Sequence, residues 1–353
     1  MVRESPPWTL AAVALAVATT LLAVGGSSDG VAQPTPQSER TQFVLVGFDI
    51  NPSSTEHLEG TDYMAYYYAV NRGRRRTGRQ GGYTMFLLSG GLQLDPATPN
   101  PPADVAPLVG RPPRRMGLHY ADDAASLRQK IANIRRLAEL GVEMASHGVR
   151  HRHGGEMSEA QWRAELEDVL RIAELHDIPR PVGFRAPFLE TNEHFFTALG
   201  AHGFAYDVSQ VGGLSWPTRH PRTGVWQFTV PSVSIPGRSG AVLFYDENTL
   251  NVLRAEARSR GLSGADARRY VNDTFYEAGM RGFRQRYHGA RAPFVIGGHN
   301  RMRAATIRLL REVCGRPHVH CATFSEAVRY LEAHPELEGV GPRPRPSRRR
   351  RRR

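Results

Sequence analysis

Lysine is all but missing from this 353-residue chain: Lys130 is the only one, and arginine supplies the rest of the 46 basic side chains. Arginine richness is therefore a compositional trait and marks no function by itself. Cysteine is nearly absent too. Cys314 and Cys321 are the only pair, and they carry no metal-site spacing, which excludes a thiolate zinc centre. Outside the cytosol the two could form a disulfide; two buried free thiols are the other reading. Long apolar runs are missing everywhere except near the start, where Thr9 to Val24 falls short of the about 20 residues of a comfortable membrane span. With Arg3 ahead of it and small residues behind, that run reads first as a cleaved export signal and second as an uncleaved anchor. Either way the body is expected to be exported.

The formal charge is +12, but eight arginines lie in the last eleven residues, so taking those off leaves only +4 for everything else. The charge belongs to the tail. No aromatic residue interleaves with it, so nucleic acid is not the expected partner; an anionic cell-envelope polymer or lipid suits a run of like charge better. The sequence divides into a leader and linker (1–40), one continuous domain (41–336) and a Pro/Arg-rich tail (337–353). A proline-rich stretch at 98–115 reads as a loop.

Within the domain, FVLVGF (43–48), YTMFLLSG (83–90), VEMAS (142–146), PVGFRA (181–186) and APFVIGG (292–298) read as buried strands. Helical patterns alternate with several of them. DDAASLRQKIANIRRLAELG puts Leu127, Ile131, Ile134 and Ala138 on one face and stops at Gly141. SEAQWRAELEDVLRIAEL opens with Ser158 and Gln161 at capping-box spacing and turns Trp162, Leu166, Val169 and Ala173 inward. NEHFFTALGAHG and AATIRLLREVCG are two more. Continuous apolar strands alternating with helices predict an α/β fold with a parallel sheet or barrel, with chemistry beyond the strand C-termini.

Polar groups suited to chemistry sit at just those places: Asp49, His147, Arg185, Asp207 and His299. SHGVRHRHGG (146–155) crowds three imidazoles into seven positions. His147 and His151, four apart, would face the same way if the segment turns helically, and neutral imidazole is a common zinc ligand. A surface or satisfied-core pair is the other reading, and His153 reads as a solvated neighbour. Arg185 could equally be a structural partner of Asp207, Trp216 a core ring and Asp207 a turn residue.

The ordered series Asp49, His147 with His151, Arg185-Ala186-Pro187-Phe188, Asp207 with Trp216, and His299 resembles the motifs of the polysaccharide deacetylases (the NodB-homology domain, carbohydrate esterase family 4). GFRAPFLETNEHFFTALGAHGFAYDVS and RAPFVIGGHN resemble most closely its chitin-deacetylase-like branch. The resemblance implies a distorted (β/α) barrel and hydrolysis of N-acetyl groups from an amino-sugar polysaccharide, chitin- or peptidoglycan-like. It implies a divalent metal, zinc above all, held by His147, His151 and Asp49. Asp49 would be the base, oriented by Arg185, and His299 the acid, oriented by Asp207. Phe188 and Trp216 would contact substrate, Trp216 walling the acetyl-methyl pocket. This chain departs from the pattern at Ile50, which stands where the family has a metal-binding aspartate, and at Gly148 and Gly297. Asn51 could offer only a carbonyl oxygen. A non-catalytic glycan-binding relative is thus the second functional reading, and a polyanion binder working through the tail the third.

Overall fold

The computed structural model describes residues 40–50, 61–74, 78–102, 120–121 and 123–342. The leader, Asn51, most of the proline-rich stretch and the arginine run of the tail lie outside the described residues. The strands are β1 (Gln42–Ile50), β2 (Thr84–Leu87), β3 (Glu143–Ser146), β4 (Gly183–Phe184), β5 (Tyr206–Gly212), β6 (Thr218–Arg219), β7 (Trp226–Ser234), β8 (Ala241–Leu243), β9 (Phe294–Gly298) and β10 (Val319–Ala322). The helices are α1 (Thr61–Val70), α2 (Ala124–Glu139), α3 (Glu159–Leu175), α4 (Glu193–Ala201), α5 (Asp246–Ser259), α6 (Gly264–Tyr287), α7 (Arg303–Val313) and α8 (Phe324–Ala333).

Parallel pairing runs β9-β1-β2-β3-β4-β5-β7, with β10 beside the first half of β1. β6 and β8 are short antiparallel additions to β7. The sheet curls, and on its return an isolated bridge joins Tyr245, just after β8, to Gly297 of β9. This is an α/β fold with a parallel sheet, as the strand–helix alternation predicts, curled into the distorted barrel that the family resemblance implies.

β1 shows why the strands are apolar throughout. All nine residues are buried, because both faces are covered. Val44, Val46, Phe48 and Ile50 join one core cluster with residues of α1, α2, α3, α6 and α7, the helix side of the sheet. Phe43 and Leu45 join a second cluster on the other face, with Phe86, Tyr206, Trp226 and Phe324. The two-residue pleat therefore turns Asp49 toward the barrel interior and Ile50 away from it.

The helix signals act where the residues place them. Asp123 caps α2 by accepting from the Ser126 amide, and Gly141 takes a left-handed φ of 86° after its end. Ser158 and Gln161 form the full capping box of α3, and all four inward residues named for it are buried. Cys314, at the end of α7, and Cys321, in β10, are joined as a disulfide, which decides between the two readings of that pair.

Candidate functional site

Asp49, His147, Arg185 and His299 each sit at or just past the C-terminal end of a strand, on β1, β3, β4 and β9. The adjacent strand ends bring them to one mouth of the barrel. Arg185 has no exposed surface; its Nη1 donates to Asp49 Oδ1 at 2.8 Å and to the Gly47 carbonyl at 3.2 Å. Its guanidinium stacks on Phe86, 4.1 Å from the ring centre. The Tyr245 hydroxyl donates to the other Asp49 oxygen, Oδ2. Burial alone would raise the Asp49 carboxyl, but His147, Arg185, His299 and Tyr245 together hold it below the usual carboxylate range. Asp49 is thus a carboxylate at neutral pH, and Arg185 is its partner rather than that of Asp207.

The histidine loop reaches the site without turning helically. Gly148 and His151 both take left-handed backbone, at φ 82° and 51°. What fixes the loop is Glu165, buried on α3: its Oε1 accepts from the amides of Val149 and Arg150, both at 2.7 Å, and its Oε2 from the Arg150 guanidinium. His147 donates from Nδ1 to the Arg185 carbonyl at 2.8 Å, since a carbonyl only accepts. That leaves Nε2 as the bare lone pair, 3.7 Å from Asp49 Oδ2. Burial, the dominant influence, lowers the His147 pKa, so the ring is neutral near pH 7. The His151 ring lies 5.1 Å from that of His147, edge-on.

His299 has a different acidic partner from the one its motif suggests. Asp246, the first residue of α5, accepts from the His299 amide through both oxygens at 2.9 Å, and its Oδ1 lies 3.4 Å from the ring Nδ1. Glu247 lies 3.6 Å from the same nitrogen. Burial works against protonation, but Asp246, Asp49 and Glu247 outweigh it and raise the His299 pKa. Asp207 is bound instead within its own strand, by the Ser209 hydroxyl and by the Ser209 amide at 3.1 Å. In the sheet it pairs with Phe184, one residue before Arg185, and its carboxyl group is taken up by Ser209 rather than by His299.

Trp216 also departs from expectation. It is a buried core ring whose Nε1 donates to the Ala290 carbonyl at 2.8 Å, packed against Phe43 and Tyr330. Phe43 begins β1, roughly 20 Å along the strand from Asp49, so Trp216 is at the far end of the barrel and walls no pocket at the mouth. Phe188 is at the mouth but half exposed, on a strained turn with φ 59°, stacked on His153 at 3.9 Å and edge-on to His151 at 4.7 Å. The sequence reading missed Tyr245, Asp246 and Glu165. The glycine pair before His299 was the available signal for the first two, because such a pair admits close neighbours.

The residues do not fit the zinc site that the resemblance implies. Among the described residues, no three of His, Cys, Asp and Glu are grouped so as to hold a metal ion. Ile50 packs into the helix-side core, and each Asp49 oxygen already accepts from a protein donor. Zinc sites normally use at least three protein ligands.

One curated relative, a peptidoglycan deacetylase-like protein of Gibberella zeae, is 33% identical over 76 residues, a match covering 22% of each chain. The chain thus spans about a fifth of that relative. Among solved structures, a Mycobacterium smegmatis protein assigned as a polysaccharide deacetylase is 17% identical, covering 87% of this chain and 96% of its own, with a TM-score of 0.48. PuuE allantoinase is 16% identical, covering 86% and 96%, also at 0.48. The family model for polysaccharide deacetylase matches residues 121–206, which hold His147, His151, Arg185 and Phe188, whereas Asp49 and His299 lie outside the match. Residues 121–206 are therefore similar to the polysaccharide deacetylases, and the barrel brings Asp49 and His299 to the mouth where the histidines and arginine of that match lie.

Proposed function

We propose that the protein is an exported hydrolase that removes N-acetyl groups from an amino-sugar polysaccharide, chitin- or peptidoglycan-like. The observation that carries this reading is the convergence at one mouth of an ionised Asp49, a neutral His147 and a His299 whose hold on a proton its acidic neighbours strengthen. Asp49 takes a proton from water as the water oxygen bonds to the acetyl carbon. His299, held by Asp246, gives a proton to the nitrogen as the carbon–nitrogen bond breaks, leaving acetate and a free amine. Arg185 orients Asp49, and Phe188 offers an apolar face to a sugar ring. The Gibberella relative's name adds support for a peptidoglycan-like polymer.

Acetate release from acetylated chitooligosaccharide and from peptidoglycan tests the reading. The wild type should release acetate, and His299→Ala should cut the rate by about 10²- to 10⁴-fold. One observation favours non-catalytic glycan binding instead: both Asp49 oxygens already accept a donor, which weakens the group as a base. Retention on the polymer with no acetate released would select that alternative. The leader supports export, and the arginine tail supports retention on an anionic envelope polymer or lipid. Deleting residues 343–353 should then abolish retention on an anionic polymer and leave hydrolysis intact; unchanged retention would overturn that role.

A further inference from the structure

Tyr245 reaches the mouth because two glycines make room for it and its neighbour. A Cβ at Gly297 would stand 2.7 Å from Tyr245 Cδ2, and one at Gly298 would stand 2.5 Å from Asp246 Cγ. Real Cβ contacts do not come so close, so the pair is a cradle that seats Tyr245 and Asp246 against β9. The Tyr245 ring is itself buried, 5.2 Å from the His299 ring. Its hydroxyl is thereby delivered to Asp49 Oδ2, the one carboxylate oxygen that faces the bare Nε2 of His147.

A cation shared by His147 and Asp49 would need that oxygen and the space beside it. The phenol hydroxyl already bonds that oxygen. Ile50 cannot compensate, because the pleat of β1 points it into the helix-side core. Ile50 thus supplies no ligand, and Gly297 admits the ring whose hydroxyl takes up Asp49 Oδ2. We infer that the Tyr245 hydroxyl stands where a metal ion would bridge Asp49 and His147, and that this pocket takes no divalent cation. The inference rests on the pocket's geometry and is independent of the hydrolytic reading.

Calorimetric titration with zinc chloride tests it on the full chain, with His147→Ala as the background for uptake elsewhere. The wild type should match that background. Tyr245→Phe, checked for folding by circular dichroism, frees Asp49 Oδ2 and should gain zinc uptake that the wild type lacks, and adding His147→Ala should abolish it. Wild-type uptake that disappears in His147→Ala overturns the inference, as does a folded Tyr245→Phe variant that binds zinc no better than wild type. If Tyr245→Phe fails to fold, the comparison of wild type with His147→Ala still decides. A protein that matches the zinc background and releases no acetate loses the hydrolase reading while keeping this one.

Discussion

Asp207 has no exposed surface, and burial pushes its carboxyl up to about 7, although Ser209 and Arg185 pull the other way. An unfolded aspartate titrates near 3.9. Between those values the folded chain binds the extra proton, so this group's stabilisation is full below about pH 4 and is lost as pH rises through 7. Asp207→Asn, which carries no charge at any pH, should therefore gain stability relative to wild type from pH 4.5 to pH 8. The gain is at most about 1.4 kcal/mol per pH unit spanned. Urea unfolding at both pH values checks it, and an equal gap at the two would refute the linkage. His299 offers the opposite case, since neighbouring acids raise it. Asp246→Asn removes one of them, so the ring's midpoint in an NMR titration should move down; an unmoved midpoint would mean that Asp246 does not hold the proton there. The carboxylates at the strand ends were legible from sequence, because an apolar run points to its own end. Asp246 was not, since the strand before it, β8, has only three residues and makes no run.

At the level of elements, α3 does more than cover the sheet. Its capping box and apolar face could be read directly, yet Glu165 on the same helix is what shapes the histidine loop. A buried glutamate inside a charged helix looks like any solvated one until the loop opposite is placed. Glu165→Ala strands two backbone amides and leaves Arg150 to Asp168 alone, so it should cost about 1–3 kcal/mol and release His147 from its hold on the Arg185 carbonyl. Chemical denaturation measures the first effect; a variant within about 0.5 kcal/mol of wild type would show that the loop holds itself. Two long elements, α5 and α6, went unread from the sequence. Arginines and acids interrupt their apolar stripes, and α6 buries small residues such as Ala278, Gly279 and Gly282 where a periodicity search looks for large ones.

Across the described residues, the bridge from Tyr245 to Gly297 lies where the sheet returns on itself beside the site, so barrel closure and site assembly share that contact. Gly297→Ala should disturb both. The added methyl meets the Tyr245 ring, and overpacking of this kind costs about 1–3 kcal/mol. A thermal scan reads that loss, and an unchanged melting temperature would show that the ring moves aside freely. The α/β class with its parallel sheet was visible in the order of strands and helices, whereas the closing contact was not, because it depends on which residues meet after the sheet has curled. The placement of the aromatic rings carries one more consequence. Trp162, Trp216 and Trp226 are each at most 2% exposed, and Trp216 lies at the far end from Asp49. Indole fluorescence from these three, all buried when the chain is folded, will therefore track global unfolding.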